Sequence, residues 1–253
     1  MLFATIDNCE FTIENPSMLS FIIPAHNEER LLGRTLDAIV AAASSCAEPF
    51  EIIVVDDAST DGTAAIARAH GAVVEQVALR KISAVRNAGA KKAAGDVLIF
   101  VDADTILPPR TLASALAALR AGYVAGGALV SFDEPAAYWG WSFVEMWNLI
   151  SRLARLAAGC FIFARRSAFE AVGGFNEAYY AGEEVVLSAA IKSHGRLIIL
   201  RDRVITSNRK AKTHGLLEIA IVLSRLAWRG PRGWQSREGL DLWYQRREVE
   251  PPG

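Results

Sequence analysis

The stretch "DVLIFVDADT", residues 96–105, decides how the chain is read. Val97 to Val101 are uninterruptedly apolar, the pattern of a short strand buried on both faces. The run then stops at Asp102, Ala103 and Asp104. Two carboxylates one residue apart repel each other, and each resists leaving water. Something positive should sit between them, or they should point into solvent. Alternation along a continued strand would place both on the same side.

Working outward, the same design recurs. "LSFIIPAHNEE" is a β-branched run ending at Pro24, and "FEIIVVDDAST" ends at Asp56 and Asp57. Between these runs, "RLLGRTLDAIVAAA", "DGTAAIARAHG" and "KISAVRNAGAKKAAG" carry apolar residues at helical spacing, with Thr60 or Asp61 near the start of the second and Gly71 closing it. "LPPRTLASALAALRAG" adds a helix with prolines near its first turn. Alternating strand and helix implies a mostly parallel sheet with helices on both faces, an α/β fold. Such sheets hold ligands at the carboxyl ends of their strands, where the three polar clusters fall. The second half predicts strands at "GALVSF", "GCFIFAR" and "RLIILRDRVIT", and helices at "AAYWGWSFVEMWNLISRLARLA" and "EEVVLSAAIKSHG".

The bulk properties narrow the function. Lys+Arg total 27 against Asp+Glu 28, a formal net charge of -1 that gives no reason to expect a nucleic-acid partner. Hydrophobic residues make up 52% of the 253, ample for a large core. Cys9, Cys46 and Cys160 lack metal-ligand spacing and are odd in number, which points to a reducing compartment. No secretory leader or membrane-spanning run is expected, so the expected location is the cytoplasm or the inner face of the membrane.

Taken in order, "FIIPAHNEE", "VVDDASTDGT", "AVRNAGAKKAAGDVLIFVDADT" and "AVGGFNEAYYAGEE" resemble glycosyltransferase family 2 of the GT-A fold, from about residue 19 to about residue 214. The resemblance implies a Rossmann-like central sheet followed by a C-terminal helical tail. Residues 1–18 would be an N-terminal extension, 19–105 the nucleotide-sugar half, 106–214 the acceptor half and 215–253 the tail. It also implies an inverting transfer from a nucleotide-diphosphate sugar, UDP favoured, to a sugar, lipid or other hydroxyl acceptor, work that fits cell-envelope glycan or glycolipid synthesis. A divalent metal, Mn²⁺ or Mg²⁺, would assist by neutralising the leaving diphosphate.

Site residues follow by matching position. Asp104 is the firmer metal ligand; Asp102 contacts the ribose, the metal or both, with Ala103 between them. Asp57 accepts from the nucleotide base, since an ionised carboxylate only accepts. Pro24, Ala25 and Glu28 line the nucleotide pocket, while Asn27 caps the following helix and Glu29 complements its dipole. Arg86, and less strongly Lys81, supply positive charge near the diphosphate or base. The acceptor hydroxyl needs a general base. Glu183 and Glu184 stand where the family carries Glu-Asp, with Val186 in place of a common downstream acid; Glu184 is the choice by position and Glu183 the alternative. His214 would be a further metal ligand, with Arg209, Lys210 and Lys212 available to the diphosphate; His26 is a weaker candidate. The aromatic segment with Trp139, Trp141 and Trp147 fits an acceptor wall or a membrane contact, and the tail offers peripheral membrane contact through its apolar circumference and arginines. Two competitors are a sugar nucleotidyltransferase, whose Gly-rich basic loop "PAHNEERLLGR" lacks, and a catalytically silent nucleotide-binding scaffold, kept open by "EEVV".

Overall fold

A computed structural model describes residues 18–133, 138–209 and 234–236. The expected N-terminal extension, His214, Lys210, Lys212 and nearly all of the expected tail lie outside the described residues. So do the side chains of Trp139 and Trp141.

The elements run β1 (Leu19–Ala25), α1 (Leu32–Ser44), β2 (Phe50–Asp57), α2 (Thr63–Ala69), β3 (Val73–Val77), α3 (Ile82–Lys92), β4 (Val97–Val101), β5 (Thr105–Ile106), α4 (Pro109–Arg120), β6 (Tyr123–Phe132), α5 (Tyr138–Ala154), β7 (Phe161–Arg165), α6 (Arg166–Ala171), α7 (Glu183–Ile191) and β8 (Arg196–Thr206). They form one sheet of order β3-β2-β1-β4-β7-β6-β8-β5. The first four strands are parallel neighbours, as the alternation of apolar runs and helices requires. Beyond β4 the sheet is mixed: β7 is antiparallel to both β4 and β6, and β8 is parallel to β6.

Continuous apolar runs pay off because both faces are covered. Leu19, Phe21 and Ile23 of β1 and Val97, Ile99 and Val101 of β4 face one core with Leu32, Leu36 and Ile39 of α1 and Leu112, Leu116 and Leu119 of α4. Ile22, Ile53, Val55, Leu98 and Phe100 face the other, with Val85 of α3, Phe169 of α6 and Leu187 of α7. Strand alternation thus feeds two cores at once. Helix α3 lies very close to the sheet. A Cβ on its Gly89 would stand 2.4 Å from Ile22 Cγ2 and 2.8 Å from Val55 Cγ2. Its far end is held by Arg166, which donates to the carbonyls of Gly95 and Ala93 at 2.7 Å each, and to Ala90 at 3.3 Å. The Ala90 and Ala93 carbonyls are among those a helix C-terminus leaves without partners.

Propensity and packing make opposite predictions at Gly89. Helix propensity alone would have Gly89→Ala stabilise by about 1 kcal/mol. The close approach reverses the sign: a net loss of about 1–3 kcal/mol is expected from overpacking. Urea unfolding of the two proteins decides between them, and a stabilised variant would refute the tight packing of α3.

Candidate active site

Parallel pairing brings the ends of β1, β2 and β4 to one edge of the sheet; Ala25, for instance, sits opposite Asp56. Pro24 and Ala25 are buried there as strand ends. The Asp57 carboxylate faces the 79–80 turn: Oδ1 accepts the Leu79 N–H at 2.7 Å, and Oδ2 accepts that of Arg80 at 2.9 Å, where Arg80 adopts φ 51°. His26 joins this corner. Its Nδ1 meets the Asp57 carbonyl at 2.9 Å and its Nε2 meets Arg80 Nη1 at 2.9 Å. A guanidinium only donates, so the network assigns the proton to Nδ1.

The cap expected from Asn27 and the dipole partner expected from Glu29 serve a different helix. Asn27 Oδ1 accepts the Thr60 N–H at 2.7 Å, and Glu29 Oε2 accepts the Gly62 N–H at 2.8 Å. Both side chains therefore support the approach to α2, whose cap position is Gly62; α1 itself has no side-chain cap. Asp61, expected near the α2 start, accepts the Thr63 N–H at 3.0 Å. A cap serving a segment some thirty residues along the chain leaves no local pattern.

The carboxylate pair of the opening stretch does not continue a strand. Strand β4 ends at Val101, and the Thr105 N–H donates back to the Asp102 carbonyl at 3.0 Å, closing a turn. The expected pleat geometry is thus replaced by a turn. Within it the buried Ala103 carbonyl accepts from Thr35 Oγ1 at 2.9 Å. Each carboxylate has its own cation. Asp102 Oδ1 accepts from Arg86 Nη2 at 2.9 Å, and Asp104 Oδ2 lies 3.2 Å from Arg209 Nη2. Arg209 also grips both oxygens of Glu28, at 2.7 and 2.5 Å. Glu28 therefore reaches the site through a guanidinium.

Arg86 is the centre of the arrangement. Its side chain is 3% exposed, and it also donates to Glu183 Oε1 at 2.7 Å and to the Gly159 carbonyl at 2.9 Å. Nε has no partner among the described residues. Burial disfavours the guanidinium charge, but Asp102, Glu183 and Glu184 outweigh it and raise its pKa. Arg86, expected near the diphosphate or base, is ion-paired to two carboxylates from distant motifs. Lys81 lies away from this centre, donating to the Glu177 carbonyl and standing 3.8 Å above the Tyr180 ring.

The structure also separates the two glutamates. They open α7 after Gly182, whose φ of 68° suits the turn. Glu183 is buried and ion-paired to Arg86. Glu184 is half-buried, and a Cβ on Gly159 would lie 3.7 Å from its Cδ. Its carboxyl pKa is pushed up to about 8, by burial first and then by the neighbouring Glu183 charge. Cys160, behind the turn, passes its carbonyl to the Asp102 N–H at 3.2 Å, and burial raises its thiol pKa so that it stays protonated.

Among the described residues no three His, Cys, Asp or Glu side chains gather as a cation cage. Asp102 and Asp104 nonetheless suit a hard divalent cation, because Mg²⁺ commonly takes one or two carboxylates and completes its shell with substrate phosphates and water. The Asp102 side chain is 33% exposed, and only its Oδ1 is engaged in the ion pair with Arg86.

Removing the central cation should cost much more than a surface ion pair. Arg86→Met is expected to lose about 3–5 kcal/mol, since it leaves Glu183 buried and uncompensated. Adding Glu183→Gln should recover a large part of that loss. Additive losses in a double-mutant cycle read by chemical denaturation would refute the coupling.

Comparison with known proteins gives the family and the fold. The family model described as "Glycosyl transferase family 2" matches residues 20–173. Validoxylamine A glucosyltransferase of Streptomyces hygroscopicus subsp. limoneus is 34% identical over 107 residues, covering 40% of this chain and 23% of that protein. The chain spans about a quarter of the length of the first curated relatives it matches. S. aureus TarS 1-349 superposes with a TM-score of 0.60 at 21% identity, covering 83% of this chain and 65% of that one. Glucosyl-3-phosphoglycerate synthase from Mycobacterium tuberculosis, solved in complex with Mn²⁺, UDP and glucosyl-3-phosphoglycerate, superposes with a TM-score of 0.57 at 19% identity, covering 84% and 77%. With its motifs gathered at one edge of a GT-A sheet and more than half its length matched by the family model, the chain belongs to glycosyl transferase family 2.

Proposed function

We propose that the chain is an inverting, metal-dependent glycosyltransferase that moves a sugar from a nucleotide-diphosphate donor, with UDP favoured, to a hydroxyl on a sugar, lipid or other acceptor. Cell-envelope glycan or glycolipid synthesis, on the cytoplasmic side, is the setting this reading favours. One observation carries it. Arg86 joins Asp102 of the donor motif to Glu183 of the base helix, and so holds Glu184 beside the donor end of the site.

Each group has one task in this reading. Residues 19–105 bind the donor and 106–214 the acceptor. Asp57, already shaping the 79–80 turn, keeps spare lone pairs for an imide N–H of the base. A divalent cation bound by Asp102 and Asp104, as Mn²⁺ accompanies UDP in the mycobacterial synthase, would neutralise charge on the departing diphosphate. Glu184 takes the acceptor hydroxyl proton. The acceptor oxygen attacks the anomeric carbon from the face opposite the diphosphate, which leaves with the bonding electrons. Glu183 is the positioning partner, because its charge is engaged by Arg86. The raised Glu184 pKa suits a base that works near neutral pH.

Transfer and nucleotide binding should separate. Glu184→Gln is expected to lower transfer from a UDP-sugar panel by about 10²–10⁴-fold, while UDP with Mn²⁺ still raises the unfolding temperature. Asp104→Asn should abolish that metal-dependent shift. Transfer that survives Glu184→Gln refutes the assignment of the base. A wild-type chain that no nucleotide diphosphate stabilises refutes the donor site itself.

The pH profile has a definite sign. Glu184 must be ionised to accept a proton, so transfer should rise with pH and level off above about 8. A rate that falls over the same interval would contradict Glu184 as the base.

A further inference from the structure

We propose that the outward face of α5 is a docking surface for an anionic lipid bilayer. The inner face of this helix is fully committed. Asn148 Oδ1 accepts the Val130 N–H at 2.9 Å and its Nδ2 donates to the Val130 carbonyl at 3.0 Å. Glu145 is gripped by Arg203 at 2.7 and 3.0 Å, and Val144 and Ser151 are buried. On the opposite side, Met146, Leu149, Ile150 and Leu153 follow i, i+3, i+4, i+7 spacing and form a single stripe. They are 54%, 57%, 44% and 77% exposed, and they are four of the seven large apolar side chains found exposed among the described residues. A soluble helix normally turns such a stripe inward; here it is turned out.

The charge beside the stripe selects the partner. Arg152 and Arg155 are exposed at its C-terminal end, and Lys192 of the α7 terminus reaches the same corner, donating to the Ala154 carbonyl at 2.5 Å. None of the three has an acidic partner among the described residues. The Lys192 ammonium pKa is lowered, by burial and then by the Arg155 charge, as expected where positive charge is uncompensated. The one acid of α5, Glu145, is already neutralised by Arg203. A second copy of the same face would bring a cationic corner with no acid to meet it. Apolar side chains bordered by cations instead match acyl chains beneath anionic headgroups. On the proposed function, α5 belongs to the acceptor half, residues 106–214, and docking there would set that half against the lipid surface.

The test uses the full chain and co-sedimentation with phosphatidylcholine vesicles, with and without phosphatidylglycerol. Wild type should bind the anionic vesicles, less so at high salt. Leu149→Glu with Leu153→Glu should reduce binding at least tenfold with an unchanged unfolding midpoint. Arg152→Glu with Arg155→Glu should weaken it by about five-fold or more for each cation lost. No binding by wild type overturns the proposal. So does equal binding by the stripe variant, which would move the contact to another part of the chain. A concentration-dependent dimer abolished by the stripe variant, without vesicle binding, would overturn it in favour of self-association. None of these outcomes depends on sugar transfer, so they stand apart from the test of the active site.

Discussion

Everything at the site depends on one buried cation. A guanidinium out of water is unfavourable unless several acceptors surround it. Arg86 meets this condition by drawing together Asp102, Glu183 and the Gly159 carbonyl, which come from three separate parts of the chain. Its planar fork can serve two carboxylates at once, a geometry a lysine ammonium cannot reproduce. Helix α3 is correspondingly fixed. Gly89 lets it approach the sheet, Arg166 closes its end, and Asn87 donates to the Phe175 carbonyl and the Glu177 carboxylate at 2.8 Å each. The cation that organises the site thus sits on one of the most firmly held helices.

The same charge logic gives the two glutamates different characters. Adjacent carboxylates cannot both ionise cheaply in a partly buried setting. Arg86 settles the competition by pairing with Glu183, and the burden of protonation falls on Glu184. Arg209 performs a parallel service across the site, holding Glu28 and Asp104 near one another. Two arginines therefore answer the repulsion that the Asp102–Asp104 spacing raises.

What was legible in the sequence follows from the range of the physical signal. The buried strands announced themselves as apolar runs, and the site edge as polar clusters directly after them. Pro109 at the start of α4 and the glycines at 173 and 174, both at φ 77°, were equally local. Strand β5 has only two residues, too few to show a period, and it owes its existence to pairing with Thr206 and Ile205. Asn27 is a good capping type and Glu29 suits a helix start, but the helix they serve is set by tertiary contact. The partners of Arg86 were hidden for the same reason, although one clue was present. Arg86 lies in a helix rich in small residues, Ser83, Ala84, Gly89 and Ala90, which leave room for a long side chain between helix and sheet.

The Asn148 contact has a consequence for the sheet as a whole. Strand β7 pairs with β6 only at Ala125–Gly127, and Val130 lies beyond it. On that side the Val130 carbonyl also accepts from Arg203 Nη1 at 3.2 Å, while its N–H is taken by Asn148. The carboxamide of Asn148 imitates a strand neighbour, supplying one donor and one acceptor where a peptide group would. Helix α5 thus continues the hydrogen bonding of the sheet where the β7 pairing stops, with a side chain standing in for a strand.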